Sequence, residues 1–225
     1  MTGPVEITVA GSFTAYQRPE RAVVRATLAL EADTAERVHA RAAESQRAVT
    51  ALVTPLHDAD RGPVTWWSSD QVRTWAQRPW NQDGVQLPLV HHARVAYQVK
   101  FRDFAELGRF LSAAGAVPGF VVDGIEWALT VVRQDELVGR VRAEAVREAR
   151  EKAQTYADAA GLGPVRLVAV ADAGMLGDGL HPTAPAPAGI ARMAAVGGGA
   201  ELSFAPQDVA VAADVHARFA ADPVS

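Results

Sequence analysis

Two short runs contain residue types that could do chemistry, a pair of histidines and a pair of serines. His91 and His92 are adjacent, and two imidazoles are possible ligands of one metal ion. Neighbouring residues of a strand point to opposite faces of a sheet, so both reach one ion only at a bulge. Ser68, Ser69 and Asp70 supply hydroxyls and a carboxylate, but no glycine elbow surrounds the serines. We therefore predict no metal site and no catalytic residue here.

Two glycine clusters are candidates for binding phosphate. Gly161 and Gly163 follow a predicted helix, whereas a dinucleotide-binding loop follows a strand and opens a helix. Gly174, Gly177 and Gly179 follow a predicted strand, but proline-rich chain comes next instead of a helix. We interpret the clusters as a helix end and a loop, and we predict no cofactor.

Four of the five tryptophans fall within one predicted strand pair: Trp66, Trp67, Trp75 and Trp80. In the alternation of the predicted strand, Trp66 occupies a position whose side chain is predicted to face the core. Trp67 and Trp75 share the opposite parity with Arg73, on a face that is otherwise polar. Exposed aromatic residues beside arginine are typical of protein interfaces or stacking sites. The candidate interface residues are Trp67, Trp75, Trp80 and Arg73, with core packing and ligand stacking as open alternatives.

Alternating apolar residues predict the strands that position this region. Residues 5–10 and 22–30 predict two strands that form a hairpin, and residues 64–75 and 89–101 predict a second strand pair. The alternation over residues 209–219 predicts a last strand that returns to the same sheet.

Three helices are predicted from capping residues and apolar periodicity. Asp33 begins a helix over about 34–54, and Asp103 begins a short helix that ends at Gly115. A long helix runs over about 134–160. Between residues 174 and 199, ten of 26 residues are Gly or Pro, which predicts a flexible loop.

Alanines recur at every fourth position of the long helix, at Ala145, Ala149, Ala153 and Ala157. This spacing places them in one narrow stripe, which suits close packing against a sheet. The stripe offers no acid, base or nucleophile to a substrate, so it indicates an architecture and not a reaction.

The composition excludes several classes of protein. The chain has 225 residues, a formal net charge of −4 and no cysteine, so we expect no disulfide and no nucleic-acid partner. The sequence opens without a signal-peptide pattern and has no apolar run of transmembrane length, which predicts a cytoplasmic protein without a membrane span.

Three segments occur in order: ITVAGSFTAYQRPERAVVRATLAL, VKFRDFAELGRFLSAAG and AEAVREAREKAQTYADAAGLGPVRLVAV. Together they resemble the SIMPL-domain family, which includes bacterial periplasmic immunogenic proteins and a eukaryotic kinase-associated signalling protein. The resemblance implies a compact α+β domain and, in some bacterial members, ring-like or channel-like oligomers. It implies no established catalytic residue.

We therefore expect a single α+β domain over residues 1–225, with a mostly antiparallel sheet, two long helices and one short helix. The leading functional hypothesis is a non-enzymatic SIMPL-like protein that forms a homo-oligomer and binds a protein partner. The alternative is a small-ligand-binding protein or enzyme with Asp70, Arg73, Arg78 and His92 as polar contacts. A signalling adaptor is a third hypothesis, by family analogy alone.

Overall fold

The computed structural model describes residues 3–82, 86–176 and 205–224. These residues form eight strands, three α-helices and a short 3-10 turn at Thr54–Leu56. The helices are α1 (Ala35–Val53), α2 (Phe104–Ala114) and α3 (Val131–Ala159). The strands are β1 (Val5–Gln17), β2 (Arg21–Ala32), β3 (Val64–Ser69), β4 (Arg73–Gln77), β5 (Val90–Phe101), β6 (Phe120–Ala128), β7 (Arg166–Asp172) and β8 (Val209–Ala221).

The elements divide into two compact units. The first contains β1, α3, β7 and β8, and the second contains β2 to β6 with α1 and α2. All pairings between the named strands are antiparallel. The predicted α+β class, with two long helices and one short helix, is confirmed, and the prediction of a single domain stays a prediction.

The first unit contains a three-stranded sheet in the order β1-β8-β7. The last strand, β8, pairs with β7, the strand that precedes the glycine- and proline-rich segment, as predicted for a returning tail. The predicted flexible loop lies outside the described residues from residue 177 to residue 199.

The predicted hairpin of β1 with β2 is wrong, because β1 pairs with β8 along its whole length while β2 pairs with β5 and β6. Alternation identifies a strand but not its partner.

Helix α3 packs on β1 through the predicted alanine stripe, whose four alanines are fully buried. Gly11 of β1 faces this stripe. A Cβ atom placed on Gly11 would lie 2.1 Å from the carbonyl oxygen of Ala145 and 2.7 Å from the Cβ of Ala149. Real Cβ atoms do not approach other atoms so closely, so the glycine and the two alanines together set the distance between helix and sheet.

Two side chains of α3 bind the backbone of β1 on either side of Gly11. The Nζ of Lys152 donates to the carbonyl oxygen of Ala10 at 2.7 Å, and the amide of Ser12 donates to Oε2 of Glu148 at 3.0 Å. The hydrogen bond from Lys152, and next the Ser12 amide, lower the pKa of Glu148 below its ordinary value. A lowered carboxyl pKa contributes stability at neutral pH that is lost as the pH falls through the acid range. These bonds also occupy polar groups of an edge strand.

The second unit contains a five-stranded sheet in the order β3-β5-β2-β6, with β4 also paired to β5. One face of this sheet packs against α1 and α2 and forms the larger core. The ring of Phe101 on β5 lies 5.3 Å from the ring of Phe110 on α2, centroid to centroid. Tyr97, also on β5, is buried in this core at 2% exposure.

The helix starts agree in part with the predictions. Asp103 accepts hydrogen bonds from two amides of the first turn of α2, as predicted. At α1, however, Thr34 is the N-cap and accepts from the amide of Arg37, while Asp33 pairs with the Arg37 guanidinium. Helix α3 begins at Val131, three residues before the predicted start.

We predict that Gly11→Ala lowers the free energy of unfolding by about 2 kcal/mol or more, because the new methyl group overlaps backbone atoms of α3. The matched control is Gly139→Ala, on an exposed position of α3 where a Cβ meets nothing within 4 Å. That control should be neutral or stabilising by up to about 1 kcal/mol. Denaturant unfolding measures the free energy of unfolding of both variants. Equal values for the two would contradict the close approach of Gly11 to the backbone of α3.

We predict that Tyr97→Phe does not destabilise the protein. The Tyr97 hydroxyl is buried and has no hydrogen-bond partner among the described residues. An unsatisfied buried polar group costs about 1–3 kcal/mol, so its removal should leave the free energy of unfolding unchanged or raise it.

The same variant should alter the response to alkaline pH. Burial raises the pKa of Tyr97 to about 12, from an ordinary value of 10.0. Between these values the folded chain keeps a proton that the unfolded chain loses, so stability falls as the pH rises above 10. Denaturation curves below and above pH 10 should show a smaller loss for Tyr97→Phe than for the native chain. An identical loss would show that Tyr97 titrates normally.

Candidate functional site

Strands β3 and β4 lie one after the other along the same side of β5. β3 pairs with the end of β5 near Phe101, and β4 pairs with its start near Val90. The amide of Asp70, between the two strands, donates to the carbonyl oxygen of Ala96 at 2.9 Å. Among the described strands, β4 pairs with β5 alone, so its other side is a sheet edge.

A register shift in β3 decides which tryptophans face the core. Val64 pairs with Phe101 and Trp66 pairs with Lys100, so β3 has one extra residue at this point. Such a bulge moves all following side chains to the opposite face. Trp66 is therefore 45% exposed, whereas Trp67 is half-buried and packs against the core. The predicted orientations of Trp66 and Trp67 are both wrong for this reason.

A second irregularity separates β3 from β4. Ser69 pairs with Tyr97, and Arg73 pairs with Arg94, so this edge takes four residues where β5 takes three. This extra residue again moves the side chains that follow it to the opposite face of the sheet. Trp75 consequently lies on the face opposite α1 and α2, which we call the outer face, although its sequence parity equals that of Trp67.

The other candidate interface residues are exposed. Trp75 is 45% exposed and Trp80 is 81% exposed. Arg73 is also exposed, as are all five residues of β4. The role of these residues in an interface stays a prediction.

Trp75 stacks on His92, its partner across the strand pair. The ring centroids are 5.1 Å apart and the planes differ by 12°. On the far side of His92, its Nδ1 lies 3.2 Å from Oε1 of Glu31. His91 pairs with Ala76 and points to the opposite face, as expected for adjacent strand residues. Among the described residues no three His, Asp or Glu side chains are grouped as metal ligands.

A short hydrogen-bonded chain holds Arg94 on the outer face. The Arg94 guanidinium donates to Oγ1 of Thr27 at 3.2 Å, and the Thr27 hydroxyl donates to Oδ2 of Asp123 at 2.7 Å. Thr27 is buried, with 5% of its surface exposed. Its hydroxyl is thus engaged as acceptor and donor at once, which fixes the direction of the arginine.

Two concave regions of the outer face meet at Arg94. One, of about 480 Å³, lies against Trp75, His92 and Thr27, and the other, of about 220 Å³, lies against Asp70 and Arg73. The structure therefore brings together three of the four predicted polar contacts. Arg78 is the exception, since its guanidinium donates to the carbonyl oxygen of Leu87 at 2.6 Å.

Sequence reasoning did not identify Arg94, Thr27, Asp123 or Glu31 as part of this site. They lie on three different strands, and only the register of β5 with β2 and of β2 with β6 brings them together. The alternating pattern of β5 indicates that Arg94 lies on the polar face of the sheet, but an alternating pattern does not identify neighbours on other strands.

The fold and this site define an α+β chain with two antiparallel sheets and a groove on the outer face of one of them. A family model, SIMPL, described as "Protein of unknown function (DUF541)", matches residues 7–219. The chain therefore belongs to the SIMPL family, and the resemblance noted above is confirmed. No curated protein matches the chain in a sequence search.

The family match spans elements of both compact units but assigns no activity, because the family's function is not established. None of the helices in the described residues has both the length and the hydropathy of a membrane span. Any functional assignment rests on the site itself.

We predict that Trp67→Ala and Trp66→Ala differ in stability. Trp67 packs against the core, so its truncation should lower the free energy of unfolding by about 2 kcal/mol. Trp66 is largely exposed, so its truncation should cost about 0.5 kcal/mol or less. Denaturant unfolding of the two single variants measures both values. The reverse order would contradict the bulge near Trp66.

Proposed function

We propose that this SIMPL protein is a non-enzymatic binding protein that self-assembles through the free edge of β4. The observation that carries the proposal is an edge strand whose five residues are all exposed, with a half-exposed tryptophan at its centre. An exposed strand edge presents unpaired backbone groups, which are a template for another strand. Trp67 is not part of this surface, because it packs against the core.

A second copy of the chain fits this edge in antiparallel orientation. Pairing centred on Trp75 places this residue opposite the partner's Trp75 and places Arg73 opposite the partner's Gln77. No like charges then face each other among these positions. His92 covers one face of the Trp75 ring, and the other face is directed away from β5, toward the free edge. The partner's Trp75 would extend this stack, and cross-strand aromatic pairs stabilise sheets.

Trp80 adds apolar surface beside the proposed interface. It follows β4 by three residues and is 81% exposed. A five-residue edge with two tryptophans still buries little area compared with stable interfaces. We therefore expect association that depends on protein concentration.

We predict that Trp75→Lys and Trp75→Glu each reduce self-association, because a residue on a two-fold axis meets its own copy and like charges repel. An equal mixture of the two variants should regain association, since lysine then faces glutamate. Light scattering over a range of concentrations measures both effects. Trp66→Glu is the matched control, because Trp66 is equally exposed but lies on β3, opposite Lys100.

Two outcomes would overturn the proposal. A native chain that stays monomeric at every concentration would exclude self-assembly. A mixture of the lysine and glutamate variants that stays monomeric, while the native chain associates, would show that the interface lies elsewhere.

Small-ligand binding is a second candidate, favoured by the groove on the outer face. Its volume of about 480 Å³ falls in the range of small-molecule pockets. A pre-positioned arginine and a half-exposed tryptophan provide polar and apolar contacts in the same groove.

A further inference from the structure

Arg73 and Arg94 lie directly opposite each other in the antiparallel pair of β4 and β5. Both side chains lie on the outer face, where like charges at opposite positions destabilise a strand pair. Neither guanidinium forms an ion pair with a carboxylate in the described part of the chain. A negatively charged group between the two arginines would remove this repulsion.

Arg94 is already oriented before any ligand arrives. Its bond to Thr27, and that of Thr27 to Asp123, hold the guanidinium at the junction of the two concave regions. A guanidinium presents parallel N–H groups that match the two oxygens of a carboxylate. A fixed side chain loses less conformational entropy on binding, which favours affinity.

The walls of the groove indicate what is attached to the negative group. Beyond Arg94 the larger concave region is bounded by Trp75, Ala29 and Val121. Trp75 is 45% exposed and Val121 is 55% exposed, so both offer apolar surface to a ligand. Since His92 covers one face of the Trp75 ring, an aromatic ligand in the groove would meet the exposed edge of the indole, and edge-to-face contacts between aromatic rings are favourable.

The carboxylates on the same face limit the charge of the ligand. Asp70 borders the smaller concave region, Asp123 accepts from Thr27, and Glu31 lies beside His92. These three groups oppose a polyanion such as a nucleoside triphosphate. A ligand with one negative charge satisfies the arginine pair at a smaller repulsive cost.

We infer that the outer-face groove binds a small aromatic carboxylate, with its carboxylate between Arg73 and Arg94 and its ring along Trp75. This inference rests on the small-ligand proposal and does not require self-assembly. Arg94 lies on β5 and not on the free edge, so its replacement leaves the proposed interface intact.

The test uses benzoate as the probe and follows the side-chain N–H signal of Trp75 by NMR during titration of the full chain. Benzoate should give saturable shifts. Benzamide has the ring without the charge, and acetate has the charge without the ring, so each should bind at least about tenfold more weakly. Inorganic phosphate tests the anion site with a different oxyanion and should also bind more weakly.

The variants assign the charge contacts. Arg94→Gln and Arg73→Gln should each weaken benzoate binding about tenfold, while the native mass of Arg94→Gln should equal that of the unmodified chain. Arg25→Gln is the matched control, because Arg25 lies on the same face but pairs with Glu126 at 2.8 Å. Its affinity for benzoate should not change.

Benzamide binding as tight as benzoate binding, or full affinity in both Arg94→Gln and Arg73→Gln, would overturn the carboxylate assignment while leaving a ligand groove. Absence of saturable shifts with all four probes would overturn the inference itself. A thermal-shift screen of uncharged and cationic compounds then distinguishes failure of the aromatic-carboxylate inference from failure of the small-ligand proposal. A ligand identified in that screen would support the small-ligand proposal with another class of ligand.

Discussion

The alternation of side chains along β5 is the constraint on which the second unit depends. β5 pairs with β2 on one side and with β3 and β4 on the other, so every neighbour must match its alternation. Ala93, Val95 and Tyr97 form the core on one face, which leaves His92 and Arg94 on the other. Strands β3 and β4 meet this requirement only because of two irregularities, the bulge near Trp66 and the extra residue between the two strands. The same irregularities direct Trp67 inward and Trp75 outward, so the core and the candidate site have one structural origin.

The first unit depends on a different contact, that of the alanine stripe of α3 against Gly11 of β1, which has no Cβ atom. Gly11 and the alanines of α3 bring the two backbones together, and Lys152 and Glu148 bind the strand on either side of that point. Long side chains in the stripe would separate the helix from β1 and break both hydrogen bonds. Close packing here fixes the polar contacts, which explains why small residues and a charged pair occur together on this helix.

Patterns among neighbouring residues predict the helices and strands, but they do not predict which strands pair with each other. The capping residue Asp103, the alanine stripe and the alternation of β5 each depend on a few neighbouring residues, and the structure confirms them. The partner of β1 depends on a strand about 200 residues away in the chain, at Val209–Ala221. A bulge adds one residue without a distinctive composition, so parity gave the wrong face for Trp66 and Trp67. Arg94 and Thr27 meet only after the sheet register is known.

The exposed edge and the groove are coupled through Arg73, because this residue belongs to β4 and faces Arg94. β4 has five exposed residues and therefore little apolar burial to hold it on β5. Repulsion between two opposing guanidiniums weakens the same pairing. An anion between them would offset that repulsion and hold β4 in place, and an ordered β4 is what a second copy requires. By thermodynamic linkage, any ligand that favours the ordered edge is itself bound more tightly by the assembled protein.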